Sequence, residues 1–282
     1  MKLFLCAGEG YRAKEASIGR AVELLSMAGC TVTASSELSD EFPGCGIAFL
    51  EREKAEQECD SFLSVGGDGT LLFNAQSAFR MEKPILGANA GTLGFLCAFD
   101  LKKPAEITEE AVEKLRISER MVYEAKCSLT GDKVYYAMNE VVIMRGPVSK
   151  TIELQLFKND RPLTRYRSDG VIVSTPSGST AYSFSAGGPV IEPGLDLSLI
   201  TPICAHSSLN RSIIISGNDR ITMLLTGRNG NDAYFSADSF ENVHLVPGSK
   251  VEVVRDSRRL KLYTSDYEKY LEALNNKFSE SV

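Results

Sequence analysis

The 282-residue sequence contains no tryptophan and only two histidines. Its seven cysteines are odd in number and scattered, and no two of them are spaced as Cys-x-x-Cys. These shortages argue against a zinc site and against a disulfide framework, and they are typical of a chain that works in a reducing compartment. We therefore predict a cytoplasmic protein.

Long apolar runs and an excess of positive charge are also missing. No run approaches the ~20 apolar residues that a membrane-spanning helix needs, and the apolar stretch in the first ten residues is too short for a signal-peptide core. The net charge of −6 leaves no surplus of Lys and Arg to replace the counterions of DNA or RNA. We expect no membrane and no nucleic acid as partner, whereas small phosphorylated ligands stay compatible with this charge.

Hydrophobic patterning divides the chain into two parts. Residues 1–100 alternate predicted strands (2–7, 30–34, 61–65 and 84–88) with helical stretches, which indicates a parallel sheet covered by helices. Residues 101–263 are strand-rich and predict an all-β domain, a sandwich. Residues 264–282 predict a final helix with a wide apolar face, which we expect to return to the first domain. The predicted fold class is thus α/β plus all-β.

The first motif is Gly66-Gly67-Asp68-Gly69-Thr70, which ends an apolar strand and opens a helical stretch. A helix N-terminus reached through glycines presents unpaired backbone N–H groups that hold phosphate. An aspartate there repels phosphate unless a metal ion or a hydroxyl lies between them, which indicates phosphoryl transfer. The alternative is a structural turn in which Asp68 caps the helix.

Two further motifs carry polar groups in apolar surroundings. Asn89 opens a glycine-containing run to Leu96 that could let a dinucleotide approach the backbone, or could be a plain turn between domains. Asn139 and Glu140 interrupt a predicted apolar strand, where a ribose would offer hydroxyls to the carboxylate. The alternative for this pair is an edge strand with both side chains in solvent.

The fourth motif is the longest and runs from Asp169 to Pro189. A predicted strand enters a Pro-Ser-Gly-Ser-Thr turn and then a helix of small residues that has Tyr182 near its start. Hydroxyl groups at such a turn are donors for phosphate or base edges, and small side chains admit a flat ring.

Taken together, these four motifs resemble the NAD kinase family, in the family's order and over about Leu63 to Asp238. Gly66 to Thr70 alone is less specific, because lipid kinases and phosphofructokinases share it. The resemblance implies that Asp68 is the catalytic residue facing the adenosine ribose and that Gly66, Gly67, Gly69 and Thr70 lie near the phosphates. It also implies a set of NAD-binding residues: Asn89, Asn139, Glu140, Asp169, Ser177, Thr180, Ala181, Tyr182 and Ser185.

The activity that this resemblance implies is transfer of a phosphoryl group to the 2′-hydroxyl of NAD, which makes NADP. ATP and NAD would be the substrates, with Mg²⁺ or another divalent cation, although the residues leave the donor open between ATP and polyphosphate. The resemblance further implies a homodimer or homotetramer in which residues 179–185 of one chain lie close to the Asn139-Glu140 pocket of its neighbour.

Three other functions are compatible with parts of the sequence. The first is an NAD-dependent oxidoreductase, because a dinucleotide-binding fingerprint fits Gly8-Glu9-Gly10-Tyr11-Arg12-Ala13 with Glu37 as its acidic residue. Against it, Glu37 sits in a polar stretch rather than at a strand end. A lipid or small-alcohol kinase would explain Asp68 and leave the fourth motif unexplained. A catalytically silent NAD sensor would keep the pocket without needing Asp68.

Overall fold

A computed structural model of the chain describes residues 1–6, 14–91, 94–147, 150–206, 210–227, 232–264 and 270–275. The chain divides into two compact units, Met1–Glu119 with Leu260–Val282, and Arg120–Arg259. No helix among the described residues combines the length and the apolar character needed to cross a membrane.

Unit 1 contains an eight-stranded sheet. Its strands are β1 Lys2–Leu5, β2 Thr31–Ser35, β3 Ala48–Leu50, β4 Ser61–Val65, β5 Ile85–Asn89, β6 Phe99–Asp100, β7 Arg116–Arg120 and β20 Leu260–Thr264. The order is β3-β2-β1-β4-β5-β20-β7, with β6 also paired to β5. The pairs from β3 to β20 are parallel, as the alternation of strands and helices predicts. Because β1 and β4 are parallel neighbours in the sheet, their carboxyl ends lie side by side.

The helices of unit 1 cover this sheet. They are α1 Glu15–Met27, α2 Arg52–Glu58, α3 Asp68–Arg80 and α4 Glu109–Glu113. Helical spacing in the sequence predicts an apolar face formed by Ile18, Ala21, Val22 and Leu25, and these residues of α1 are buried. Thr108 begins α4, because its hydroxyl accepts a hydrogen bond from the Ala111 backbone N–H at 3.2 Å. Neither β3 nor α2 was expected from the sequence, since β3 is three residues long and α2 buries only Ala55.

Unit 1 extends beyond the predicted boundary after residue 100. The reason is β7, which extends the first sheet beside β20 and so draws residues 101–119 into this unit. Residues 270–275 are helical, and the Tyr270 ring lies 6.0 Å from the Phe95 ring within the same unit. The rest of the predicted final helix, residues 265–269 and 276–282, lies outside the described residues, as does the fingerprint at 8–13.

Unit 2 is a sandwich of two six-stranded antiparallel sheets. Its strands are β8 Tyr123–Cys127, β9 Val134–Ala137, β10 Glu140–Arg145, β11 Ile152–Lys158, β12 Arg161–Ser168, β13 Gly170–Ser174, β14 Leu197–Ile203, β15 Ile213–Ser216, β16 Ile221–Leu225, β17 Ala233–Ala237, β18 Glu241–Leu245 and β19 Lys250–Arg255. The orders are β15-β14-β13-β10-β17-β18 and β12-β11-β16-β19-β8-β9. Side chains from both sheets form one buried core, in which the rings of Tyr135 and Phe235 meet edge to face at 5.0 Å.

One predicted strand is two strands in the structure. The apolar run from Lys133 to Arg145 was expected to be continuous, but β9 belongs to one sheet and β10 to the other. The chain changes sheets at Met138 and Asn139, so the Asn139-Glu140 motif marks a crossover rather than the middle of a strand.

We predict that Gly87→Ala destabilises unit 1 by about 1–3 kcal/mol, the usual cost of overpacking. A Cβ at Gly87, within β5, would lie 2.4 Å from Leu71 Cδ1 and 3.0 Å from the Cys97 Cα. Gly19→Ala is the matched control, because among the described residues a Cβ there meets only Cys45 Sγ, at 3.7 Å. In a helix interior this substitution should stabilise the protein by about 0.5–1 kcal/mol. Urea denaturation measures both, and equal midpoints for the two variants would contradict the packing argument.

Candidate active site

The glycine motif joins β4 to α3 in unit 1. Gly66 has φ +151°, and a Cβ there would lie 2.6 Å from Thr70 Oγ1, so the turn requires glycine at this position. Among the described residues, no atom lies within 4 Å of a Cβ built at Gly67 or Gly69. With respect to these residues, the backbone at the first turn of α3 is open to an approaching ligand, as a phosphate site needs.

Asp68 is held by the second motif. Its carboxylate accepts hydrogen bonds from the backbone N–H groups of Phe95 at 2.8 Å and Leu96 at 3.1 Å. A Cβ at Gly94 would come within 2.1 Å of Asp68 Oδ1, so glycine makes room for the carboxylate. The N-cap of α3 is Gly67 and has no side-chain cap bond, which corrects the alternative in which Asp68 caps the helix.

Asn89, assigned to NAD binding from the sequence, is fully buried at the end of β5. Its Oδ1 accepts from the Gly91 backbone N–H at 3.2 Å, and its Nδ2 donates to the Gly91 carbonyl at 3.3 Å. These bonds shape the start of the second motif. A direct contact between Asn89 and NAD stays a prediction.

Lys14 was missed in the sequence analysis. Its Nζ donates to Thr70 Oγ1 at 2.6 Å, across 56 residues of sequence. Lys14 directly precedes α1, the helix that follows β1 in the chain, and β1 neighbours β4 in the sheet. Its position is the signal that could have identified it: the lysine stands at the start of the helix that follows β1, and β1 neighbours the strand that ends in the glycine motif.

Unit 1 also contains a cavity of about 350 Å³. Its lining comes from the ends of β1 and β2, from residues just after β2, from the first residue of α2 and from one side of α3: Phe4, Leu5, Cys6, Ser35, Glu37, Leu38, Arg52, Phe73, Asn74 and Ser77. Phe73 is 44% exposed. Mixed apolar and polar walls of this size suit a small ligand.

In unit 2, Asp238 fixes the crossover between β9 and β10. Its carboxylate accepts from the backbone N–H groups of Met138 at 2.7 Å, Asn139 at 2.9 Å and Glu140 at 3.0 Å. Asp238 has φ +48°, a conformation that aspartate tolerates better than most residues. Burial raises the pKa of Asp238 to about 6, against these three N–H groups, which lower it. Asp238 is not among the site residues expected from the sequence.

Glu140 is buried, with 6% of its surface exposed, on a strand that lies between β13 and β17. The alternative of a solvated edge strand is therefore wrong. Its Oε2 has no hydrogen-bond partner among the described residues. Burial, with the Asp238 carboxylate as a second cause, raises the pKa of Glu140 to about 8, while the backbone N–H of Tyr182 opposes the rise. An unsatisfied buried carboxyl group is what the hydroxyls of a ligand would complete.

The fourth motif packs against this crossover within one chain. Thr175 Oγ1 donates to the Met138 carbonyl at 2.6 Å and accepts from the Gly178 N–H at 3.1 Å. A Cβ at Gly178 would lie 2.2 Å from the Asn139 carbonyl oxygen, so only glycine allows this approach.

The assigned side chains of this motif lie on a 3₁₀ turn, Ser177–Thr180, and on the short helix α5, Tyr182–Ser185. Thr180 is buried, Ala181 is half-buried, and Tyr182 and Ser185 are exposed. The Ser177 Oγ is buried and has no hydrogen-bond partner among the described residues. The turn and α5 therefore adjoin Asn139 and Glu140 of their own chain, and the expectation that residues 179–185 also lie close to this pocket of a neighbouring chain stays a prediction.

Asp169 lies apart from Glu140. Its Oδ1 forms an ion pair with the Nε of Arg145 at 2.8 Å. This ion pair lies at the end of the paired strands β10 and β13 where Met144 faces Gly170. Glu140 faces Ser174 at the opposite end. At about 3.4 Å per residue, the five steps along β10 from Glu140 to Arg145, the partner of Asp169, span about 17 Å. A ligand that touches both carboxylates must be elongated.

We predict that pH separates the stability of the wild type from that of Glu140→Gln. A carboxyl group with a raised folded pKa destabilises the fold as pH rises from its ordinary value, 4.5, to about 8, because the unfolded chain releases the proton first. Between pH 5 and pH 8 the wild-type melting temperature should fall relative to that of Glu140→Gln. Exposed Glu192→Gln should follow the wild type. Parallel curves for the wild type and Glu140→Gln would contradict the burial argument.

Two family models match the chain. The N-terminal domain of ATP-NAD kinases matches residues 19–116, and the C-terminal domain matches residues 138–265. A protein of Geotalea daltonii named NAD kinase is 35% identical over 230 residues, which cover 80% of this chain and 81% of the relative. An NAD kinase of Teredinibacter turnerae is 32% identical over 268 residues, which cover 93% and 90%.

Solved structures agree in fold. An NAD kinase from Archaeoglobus fulgidus in complex with ATP superposes with a TM-score of 0.72 at 27% identity, covering 98% of this chain and 97% of that one. Yeast NADH kinase complexed with NADH gives a TM-score of 0.83 at 23% identity, covering 99% and 87%, which is evidence for the fold alone. With both domain models matched in order and relatives above 30% identity over most of their length, the chain belongs to the NAD kinase family.

Proposed function

We propose that this protein transfers the terminal phosphoryl group of ATP to the 2′-hydroxyl of the adenosine ribose of NAD. The observation that carries the proposal is Asp68, a carboxylate fixed by two backbone N–H groups at an open, glycine-lined helix N-terminus. Membership in the NAD kinase family supplies the acceptor. Incubation of the pure protein with NAD, Mg²⁺ and either ATP or polyphosphate, followed by an assay for NADP, tests the proposal and identifies the donor.

Asp68 would orient the acceptor hydroxyl. Phosphoryl transfer through a loose transition state depends on alignment and charge neutralisation more than on a strong base. An aspartate is a weak base toward an alcohol, so it would position the hydroxyl early and take its proton late in the transfer. Gly66, Gly67, Gly69 and Thr70 would lie along the donor phosphates.

A divalent cation, Mg²⁺ in the first instance, would accompany the donor. Among the described residues, no three His, Cys, Asp or Glu side chains cluster as a metal cage. Mg²⁺ is commonly held by one or two carboxylates together with substrate phosphates, and Asp68 is the carboxylate at the glycine turn. The residues therefore fit a cation that binds with the nucleotide, where it would neutralise charge on the transferred group.

The crossover of unit 2 would bind the adenosine part of NAD. The unpartnered Glu140 Oε2 suits ribose hydroxyls, and the half-buried Asn139 offers an amide to a base edge. Ser177, Thr180, Ala181, Tyr182 and Ser185 would line the same pocket. Asp169 would contact a more distant part of the dinucleotide, since it lies at the other end of β10.

We expect Asp68→Asn to lower kcat by about 10²- to 10⁴-fold, the range assigned to a positioned acid or base, while NAD affinity is largely retained. Asp100→Asn is the matched control, because Asp100 in the same unit also accepts a backbone N–H, that of Lys102 at 3.0 Å. Steady-state kinetics and NAD titration of both variants decide the point. Turnover of Asp68→Asn within threefold of the wild type would remove Asp68 from the mechanism.

We also propose that the protein is a cytoplasmic homodimer or homotetramer, assembled through unit 2. Support for assembly comes from β15, a strand at the end of its sheet whose Ile214 side chain is 53% exposed. Support for the compartment comes from the seven cysteines, all of which are free.

For assembly, Ile214→Lys should shift the protein to a smaller species in sedimentation and light scattering, because a charge on an apolar interface opposes pairing. Met27→Lys is the control, since Met27 is 78% exposed on α1 of the other unit. A wild-type protein that is monomeric at assay concentration would refute the assembly and leave the kinase assignment in place.

A further inference from the structure

The position of the Lys14 ammonium group is electrostatically unfavourable in the free protein. Its Nζ lies 2.6 Å from the hydroxyl of Thr70, the third residue of α3. The N-terminus of a helix carries partial positive charge and favours anions over cations. A lysine placed there purely for structure would work against the helix dipole.

Among the described residues, the Lys14 ammonium has its hydrogen bond with Thr70, and no carboxylate of these residues lies within ion-pair distance of it. Asp68, two residues before Thr70, directs its oxygens to the N–H groups of Phe95 and Leu96. The turn therefore combines a cation, a helix N-terminus and open backbone at Gly67 and Gly69, all of which attract the same kind of ligand.

We propose that Lys14 holds the phosphate chain of the donor, with its ammonium group moving from the Thr70 hydroxyl to a phosphate oxygen when the donor binds. A lysine is a point charge on a flexible stem, so a short movement about its side-chain torsions is enough. The inference rests on the proposed function, which requires the transferred phosphoryl group to lie beside the hydroxyl that Asp68 orients. Lys14 is then a donor-binding residue, and the released Thr70 hydroxyl can donate to the same phosphates.

The first experiment measures binding without turnover. Inorganic tripolyphosphate is titrated by calorimetry into the wild type, Lys14→Met, Lys14→Arg and the control Lys102→Met, whose side chain is exposed in the same unit. We expect Lys14→Met to weaken binding by about 10- to 100-fold, the value of one charge-assisted hydrogen bond, and Lys14→Arg to retain most of the affinity. Lys102→Met should bind as the wild type does. Equal affinities of the wild type and Lys14→Met would overturn the inference.

The second experiment separates donor from acceptor. In NADP formation, Lys14→Met should raise the KM for MgATP by about 10- to 100-fold and change the KM for NAD by less than about twofold. A rise confined to the KM for NAD would overturn the inference. Absence of NADP from the wild type with every donor would overturn the proposed function instead, and the tripolyphosphate titration would then judge Lys14 alone.

The third measurement excludes a structural role. Without ligand, Lys14→Met should melt at or above the wild-type temperature, because it removes a cation from a helix N-terminus. A melting temperature well below the wild type, with tripolyphosphate affinity restored to normal at lower temperature, would show that Lys14 merely supports the fold.

Discussion

Three backbone N–H groups converge on the carboxylate of Asp238, and the rest of the unit 2 site depends on this interaction. A chain that leaves one sheet and enters another must break its ladder of hydrogen bonds, which leaves N–H groups without strand partners. Asp238 satisfies them, and its own N–H donates to the Glu140 carbonyl at 3.0 Å. The crossover is thereby rigid, so Gly178 can pack against Asn139 and Glu140 can begin β10 in a buried position.

Unit 1 uses an aspartate in a similar way for a different purpose. The Asp68 carboxylate also accepts two backbone N–H groups, and both aspartates are half-buried. They differ in the backbone that they hold: the N–H groups on Asp238 belong to three consecutive residues of a crossover, whereas Asp68 begins α3 between Gly67 and Gly69. The same hydrogen-bonding pattern thus fixes a change of sheet in unit 2 and a glycine turn in unit 1.

Local sequence patterns predicted the parts of this structure that are set by burial. The strand Ser61–Val65 has the bounds expected from its apolar run, and the face of α1 follows from its helical spacing. The break between β9 and β10 was not predicted, because apolar residues lie on both sides of the Asn139-Glu140 pair and the cause of the break lies about a hundred residues away at Asp238. Lys14 escaped for the same reason, since a contact across 56 residues leaves no local pattern. Short elements such as β3 and α2 bury too few side chains to produce a local sequence pattern.

Each unit holds one candidate group in an electrostatically unfavourable position, an acidic group in unit 2 and a basic group in unit 1. In unit 2, burial, with the Asp238 carboxylate as a second cause, raises the pKa of Glu140, and its Oε2 has no hydrogen-bond partner among the described residues. In unit 1, an ammonium group lies against a helix N-terminus. Each arrangement is unfavourable by itself, and each becomes favourable with one kind of group, hydroxyl donors for the first and a phosphate for the second. An enzyme that joins a ribose hydroxyl to a phosphoryl group needs one group that binds hydroxyl donors and one that binds phosphate. Local sequence patterns follow burial, so they do not encode the electrostatic cost of either arrangement.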